Sequence, residues 1–201
     1  MFLSLDRSIS PSSASVFDEE GRAVPGATQT QIESADSDAY ALALAALDDA
    51  SIAITDITRI AVAVGPGSFS GIRSALALAQ GMAMPIDAEV IGVPTPAAIW
   101  RAFVTEHPEI TSGIVIGDAR RGRLWVWRSD ESPLVPPRLI PLSDCTRLTQ
   151  NTPIVTPDLK RLSPLFPSAI SALPISRAVG ELALEGIKLP PLPIYLNAPV
   201  E

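Results

Sequence analysis

The chain has few of the residues from which most hydrolytic active sites are built. It contains one histidine, His107, and one cysteine, Cys145, among 201 residues. A single histidine cannot form a pair of metal-binding histidines, and His107 lies in a polar turn with no elbow-like serine nearby, so a catalytic triad is not expected. A lone cysteine excludes an intrachain disulfide and agrees with a reducing cytoplasm. The sequence therefore argues against an independent hydrolytic enzyme.

The chain also lacks long apolar runs and an excess of basic residues. No run approaches the roughly 18 apolar residues of a membrane helix. The chain opens on a strand-like segment rather than a basic, apolar leader, so we expect a cytoplasmic protein without membrane association. Its formal net charge of −7 argues against nucleic-acid binding by the chain alone, because phosphate contacts require clustered lysine and arginine.

Four arginines nevertheless cluster around a predicted hairpin: Arg120, Arg121, Arg123 and Arg128. Guanidinium groups bind phosphate and carboxylate oxygens in the same geometry. The cluster therefore has three interpretations, which are a grip on RNA phosphate, a contact with an acidic partner surface, and a solvated hairpin tip.

Periodicity and turn residues predict a mixed α/β chain. Hydrophobic residues make up 47% of the sequence, which suffices for one large domain or two small lobes, and we expect two lobes, residues 1–94 and 95–201. Strands are predicted over residues 2–6, 14–17, 21–24, 60–64 and 89–92, with 60–64 central in its sheet, and a hairpin over 113–117 and 123–128. Helices are predicted over residues 38–50, 95–104 and 175–186.

The most specific feature is a glycine-rich turn, residues 65–73, which reads Gly-Pro-Gly-Ser-Phe-Ser-Gly-Ile-Arg. It joins a strand-like run to a helix-like run, and glycine there permits positive φ and close approach to the backbone. Free N–H groups at the helix start favour an anion. The candidate ligand or phosphate contacts are Gly65, Gly67, Ser68, Gly71 and Arg73; the alternative is a tight connection required only by packing. Neither the P-loop nor the dinucleotide fingerprint fits this spacing.

The helix after this turn, residues 70–84, is apolar almost all round, so we expect it to be buried on more than one side. Ser74, Ala77, Leu78 and Gly81 form a face of small residues on it that would let another backbone come close. This face is a candidate subunit interface. The alternative is that the chain's own helix over residues 38–50 covers it.

The turn closely resembles the GPGSFTG[LI]R signature of the TsaB (YeaZ) family, with Ser70 in place of threonine. Four further segments are similar to the family's motifs in the same order: residues 2–8, with Arg7 replacing a threonine; residues 92–96; residues 116–122; and residues 193–196. A second departure is Asp36-Ser37, which stands where the family usually carries His-Ser.

The resemblance implies an actin-like and Hsp70-like fold (ASKHA, ribonuclease H-like) of two lobes with an abbreviated C-terminal lobe. It also implies a noncatalytic subunit of the machinery that installs the threonylcarbamoyl group on adenosine 37 of tRNA. Such a subunit pairs with a TsaD-type transferase, is assisted by a TsaE-type ATPase, meets tRNA only through the complex, and forms homodimers when TsaD is absent. The pairing surface would combine Ser70 and the small-residue face with Tyr40 and Leu44. The superfamily is called peptidase M22-like because TsaD carries an H-x-x-x-H pair, which a single histidine cannot supply.

Two other functions stay open. Asp6 and Asp118 resemble the phosphate-loop acids of ATPases of this fold; the alternative is that both are turn residues that cap strand ends. We expect no cofactor; a small enzyme that binds ATP or ADP with magnesium, weakly, is the alternative. The third candidate is a divergent, self-associating homolog outside the tRNA pathway.

Overall fold

Two five-stranded β-sheets organise the chain. The computed structural model describes residues 1–31, 39–148, 152–173 and 175–196. In the first sheet, β1, β2 and β3 form an antiparallel meander, and β4 and β5 continue parallel to β1. The strand order is β3-β2-β1-β4-β5. The strands are β1 (Phe2–Asp6), β2 (Ser12–Phe17), β3 (Ala23–Gln31), β4 (Arg59–Ala63) and β5 (Glu89–Val93).

The second sheet repeats this pattern with shorter parallel strands. Its order is β10-β9-β6-β7-β8, in which β6, β7 and β8 are antiparallel and β9 and β10 are parallel. The strands are β6 (Ile114–Arg120), β7 (Arg123–Arg128), β8 (Arg138–Pro141), β9 (Ile154–Thr156) and β10 (Ile170–Ser171). A second, reduced copy of the first sheet's pattern is what the fold class predicts.

In the described residues, five α-helices connect and cover the strands. They are α1 (Ala39–Asp49), α2 (Phe69–Ala83), α3 (Thr95–Glu106), α4 (Leu159–Leu162) and α5 (Ser176–Leu184). One apolar cluster joins β4, β5, α3 and α5 to β6, β7 and β9. A second cluster fills the space between the first sheet and α1 and α2. None of the described helices is long and apolar enough to cross a membrane.

Helix α5 returns the end of the chain to the first sheet through a buried serine network. Ser176 N donates to Ser13 Oγ at 2.8 Å, and Ser4 Oγ donates to Ser176 O at 2.7 Å. The hydroxyls of Ser15 and Ser176 are 2.7 Å apart. These bonds satisfy buried polar groups at the start of α5.

The described structure confirms the predicted strands and helices of the first half, with β3 longer than predicted. Strand β4 lies inside the sheet, but β1 and not β4 is its central strand. The sequence did not predict β8, β9, β10 or α4, because proline interrupts the apolar pattern there. Strand β8 ends on Pro141 at a sheet edge, where a missing N–H is tolerated.

The expectation that α2 is buried on more than one side was wrong. Its buried positions, among them Ile72, Leu76 and Ala79, pack against the first sheet, whereas Ala77, Gln80 and Gly81 are exposed. Helix α1 packs beside α2 but does not cover Ala77 or Gly81. The open face contains alanine and glycine. These residues made the helix look apolar in the sequence, but they are small enough to remain exposed to solvent.

The glycine-rich turn is pressed against the β1–β2 turn. Gly65 has a φ of +106°, which side chains rarely adopt, and a Cβ at Gly67 would lie 2.2 Å from Ser8 O. A Cβ at Gly71 would lie 2.1 Å from Arg7 O. Both clashes are with backbone carbonyl oxygens, which cannot move away by a change of rotamer as a side chain could. Packing therefore requires these glycines.

We expect Gly71→Ala to destabilise the fold by more than about 2 kcal/mol, because the added methyl group overlaps the Arg7 carbonyl. Gly81→Ala in the same helix is the matched control, since its Cβ would meet nothing within 4 Å. It should leave stability unchanged or raise it by up to about 1 kcal/mol through helix propensity. Urea unfolding of the three proteins measures both values, and equal stability of the two variants would contradict the packing argument.

Candidate functional site

A cleft of about 920 Å³ lies between the two sheets. Its walls come from the β1–β2 turn, the glycine-rich turn with the start of α2, the β6–β7 hairpin, and the chain segment after α5. The lining residues include Ser8, Pro66, Phe69, Arg73, Asp118, Arg121, Trp125, Asp158 and Tyr195. The cleft has the size of a small-molecule site and mixes apolar walls with several charged groups.

Four of the seven predicted ligand residues line the cleft, and the other three do not. Gly67, Ser68, Arg73 and Asp118 line it. Gly65, Gly71 and Asp6 do not line it, and the first two serve the packing of the turn.

The amides of the glycine-rich turn are largely engaged within the protein. Gly65 N donates to Thr95 Oγ1 at 3.0 Å, and Ser68 N donates to Ser8 O at 2.6 Å. Ser68 caps α2, with its Oγ accepting from Gly71 N at 3.2 Å. A phosphate cradle needs several free amides, so this turn fits a phosphate poorly.

Asp6 is fully buried at the end of β1, beneath this turn. Its Oδ1 accepts from Ser8 N at 2.9 Å and from Ser8 Oγ at 2.6 Å, while Oδ2 has no hydrogen-bond partner among the described residues. Burial raises the pKa of Asp6 from 3.8 to about 7, and the Ser8 hydrogen bonds oppose that shift only in part. Asp6 therefore holds the β1–β2 turn in shape and changes charge near neutral pH.

Asp118, on the opposite wall, belongs to a network of two carboxylates and two arginines. Its Oδ2 accepts from Arg161 Nη1 at 2.7 Å and from Arg120 Nη1 at 3.1 Å. Asp118 N donates to Asp158 Oδ2 at 2.8 Å. Burial raises the pKa of Asp158, and the Asp118 amide opposes the shift. The network ties the β6–β7 hairpin to the start of α4.

Arg73 lies at the mouth of the cleft between two exposed aromatic rings. Its guanidinium carbon is 3.8 Å from the Phe69 ring centroid and 5.5 Å from that of Tyr195. Its Nε donates to Tyr195 Oη at 2.6 Å. This contact links the signature turn to the Pro-x-Tyr-Leu segment, 122 residues further along the chain.

The predicted arginine cluster is divided by the structure. Arg128 pairs with Asp130 at 2.8 Å at the far end of β7, outside the cleft lining. Arg120 and Arg121 line the cleft at the hairpin tip, where both have positive φ. Of the four predicted arginines, Arg120 and Arg121 therefore line the cleft.

Of the two departures from the family pattern, only Arg7 lies within the described residues, since Asp36-Ser37 does not. Arg7 Nη1 donates to Ser74 Oγ at 2.9 Å, and its Nε donates to Ser12 Oγ at 3.3 Å. The longer side chain thus joins the β1–β2 turn to the exposed face of α2.

His107 follows the last residue of α3 as its C-cap and packs on Phe103 with ring centroids 4.6 Å apart. It lies outside the cleft lining. The part of the chain that the structure describes contains no group of three or more potential metal ligands.

Sequence reasoning missed several residues of the cleft. Phe69 and Tyr195 stand inside recognised motifs, but nothing in the sequence indicated that their rings meet at 5.6 Å. Asp158 and Arg161 lie in the region where no elements were predicted, so no signal pointed to them.

The Asp6 carboxyl should make stability depend on pH. Because folding raises its pKa from 3.8 to about 7, the native state binds the proton more tightly than the unfolded chain. Stability from this group is full below about pH 4 and is lost as pH rises through about 7, by up to a few kcal/mol. Asp6→Asn, measured by urea unfolding between pH 4 and 9, should remove most of this loss. The exposed carboxylate variant Glu19→Gln should keep the wild-type profile, and an unchanged profile in Asp6→Asn would contradict the assignment.

Part of the sequence matches known proteins. The tRNA threonylcarbamoyladenosine biosynthesis protein TsaB of Escherichia coli (strain K12) is 41% identical over 99 residues, 44% of this chain and 42% of the relative. The protein of that name from Bacillus subtilis (strain 168) is 36% identical over 84 residues, 39% of this chain and 33% of the relative. The alignments thus span less than half the length of these curated relatives. A family model described as TsaD, tRNA N6-adenosine threonylcarbamoyltransferase, matches residues 37–132.

Solved structures match nearly the whole chain. YeaZ from Pseudomonas aeruginosa superposes with a TM-score of 0.76 at 19% identity, over 97% of this chain and 99% of that chain. A protein described as similar to peptidase YeaZ from the same organism gives a TM-score of 0.75 at 19% identity, over 98% and 99%. At this identity the likeness shows the fold, which is the expected α/β, ASKHA-like fold with two sheets. Local sequence matches and a shared fold point the same way: the chain is similar to TsaB proteins over 44% and 39% of its length and has the fold of YeaZ.

Proposed function

We propose that the chain is a noncatalytic subunit of the machinery that makes N6-threonylcarbamoyladenosine in tRNA, and that it pairs with and activates a TsaD-type transferase in the cytoplasm. The sequence matches to proteins named for this biosynthesis support the pathway. The observation that carries the pairing role is the exposed, uncharged face of α2 and α1.

This pairing face consists of Ser70, Ser74, Ala77, Leu78 and Gly81 on α2, with Tyr40 and Leu44 on α1. Ser70, Ala77 and Gly81 are exposed, and Ser74 and Leu78 are half-buried. The Tyr40 and Leu44 side chains are 47% and 38% exposed, so two large apolar groups flank a flat strip of small ones. Such a face buries well against another helix, because small residues let two backbones approach closely.

Helix α2 is also rigid enough to present this face. Its buried side packs on the first sheet, Ser68 caps its start, and Arg7 holds Ser74. A preorganised surface loses little conformational entropy on binding, which favours a stable complex. The same face would serve a homodimer when the transferase is absent, and a TsaE-type ATPase would join the complex at another surface.

A small ATP-binding enzyme is the second candidate, and the cleft between the two sheets is the feature that favours it. Against it, the amides of Gly65, Ser68 and Gly71 in the glycine-rich turn are engaged within the protein, and the Asp118 Oδ2 accepts from two arginines. Titration calorimetry with ATP and magnesium decides between the two, since measurable heat at millimolar nucleotide would favour the enzyme.

Ala77→Arg and Gly81→Arg should each abolish pairing with the TsaD-type protein of the same genome. A long charged side chain on the strip prevents the close approach of backbones and buries an unpaired charge. The measurement is size-exclusion chromatography with light scattering on the mixture, where wild type should give a 1:1 complex.

Thr105→Arg on α3 is the matched control, because it adds the same charge at an exposed helical position away from the pairing face. It should pair like wild type. If Ala77→Arg and Gly81→Arg fold and still pair at wild-type affinity, the interface lies elsewhere. If deletion of the gene leaves threonylcarbamoyladenosine unchanged, the chain is instead a divergent homolog outside the pathway.

A further inference from the structure

We propose that the mouth of the cleft binds a single-stranded stretch of RNA, with Arg121 on a backbone phosphate and the Phe69, Arg73 and Tyr195 cluster against a base. This inference rests on the proposed function, which gives the complex a tRNA substrate. It extends the expectation that tRNA is met only through the complex, because this chain would itself supply a contact.

The first observation is uncompensated positive charge at the mouth. Arg73 and Arg121 both line the cleft, and neither forms an ion pair within 4.0 Å with any described residue. Arg121 is exposed at the hairpin tip beside Gly122, where a Cβ would meet nothing within 4 Å. In a chain with a net charge of −7, two guanidinium groups that face one cleft without a carboxylate partner among the described residues form a local attraction for anions.

The two carboxylates of the cleft do not cancel this charge. Asp118 is neutralised by Arg120 and Arg161, at 3.1 and 2.7 Å. Asp158 directs its Oδ2 to the Asp118 amide, at 2.8 Å. With Arg73 and Arg121 added, the cleft and its rim hold four arginines against two aspartates, so an entering phosphate meets net positive charge.

The second observation is the aromatic cluster at the same mouth, which consists of Phe69, Arg73 and Tyr195. Phe69 is 58% exposed and Tyr195 is 49% exposed, although such rings are usually buried. Exposed rings beside a guanidinium plane are the surface on which proteins stack unpaired bases. An acidic peptide would use the arginines but would gain little from these rings, which is why RNA is the better occupant.

The third observation concerns shape and place. A cleft of about 920 Å³ admits a few nucleotides but not a double helix, so the strand must be unpaired. Phe69 and Arg73 stand on α2 next to Ser70 and Ser74 of the pairing face, in the same two turns of helix. RNA at the mouth would therefore lie beside the bound transferase.

The phosphate contact is tested with a fluorescently labelled RNA hairpin, the anticodon arm of a tRNA that reads A-starting codons. Anisotropy titrations use the complex with the TsaD-type protein, and the chain alone in parallel, at several salt concentrations. Arg121→Ala should weaken binding several-fold and lower the slope of log affinity against log salt by about 0.7 to 1. Arg128→Ala removes an arginine of the same strand pair outside the cleft and should change neither quantity.

The base contact is tested with Phe69→Leu and Phe69→Trp. Loss of the ring should weaken binding by about tenfold, whereas tryptophan should retain it. A fully paired RNA duplex of equal length should bind much more weakly than the hairpin. Equal binding of duplex and hairpin, or equal effects of Arg121→Ala and Arg128→Ala, would overturn the proposal.

Light scattering on the same samples separates this proposal from the pairing function. If no complex forms, pairing has failed, and the titrations on the chain alone still decide the RNA contact. If Arg121→Ala weakens the complex but leaves RNA affinity unchanged, the arginine serves an acidic partner surface and the RNA proposal is wrong.

Discussion

The structure depends on one close backbone contact, in which the glycine-rich turn is pressed against the β1–β2 turn. Gly67 and Gly71 leave no room for a Cβ over the carbonyls of Ser8 and Arg7, and Ser68 N closes the contact with a 2.6 Å hydrogen bond to Ser8 O. This contact fixes where α2 begins. Helix α2 carries both the pairing face and part of the cleft mouth. The position of each proposed surface therefore depends on glycine, which has no Cβ, at positions 67 and 71.

The end of the chain completes what this contact begins. Serine hydroxyls dock α5 onto the first sheet, and Ile194 N then donates to Val64 O at 2.8 Å, just before the glycine-rich turn. Tyr195 is thereby carried to Arg73, and the cleft gains its last wall. Residues far apart in sequence thus build one site. The Val64 carbonyl, just before the glycine-rich turn, accepts its hydrogen bond from the Ile194 amide near the end of the described chain.

Much of the first half could be predicted from sequence, because its strands and helices have clear apolar periods and glycine or proline boundaries. The glycine-rich turn was visible for the same reason. The pattern could not show that Gly71 is needed for packing, since a glycine that avoids a neighbouring carbonyl and one that admits a ligand look alike. Nor could it show that α2 is open on one side. Alanine and glycine count as apolar in a sequence pattern, but they have so little side-chain surface that leaving them exposed to water costs little. The network of Asp118, Asp158 and Arg161 depends on tertiary contacts in a proline-rich region, where no period was available.

Helical geometry explains how α2 can serve two surfaces. Phe69 and Arg73 are four residues apart and share one side of the first turns, while Ser70, Ser74, Ala77 and Gly81 follow the helix one position, or about 100°, further round. The remaining side is fixed on the sheet by Ile72, Leu76 and Ala79. A ligand at the mouth and a partner on the pairing face would therefore touch adjacent sides of one rigid element without competing for the same residues. If both proposals hold, the two contacts would be set by a single helix rather than by two parts that move independently.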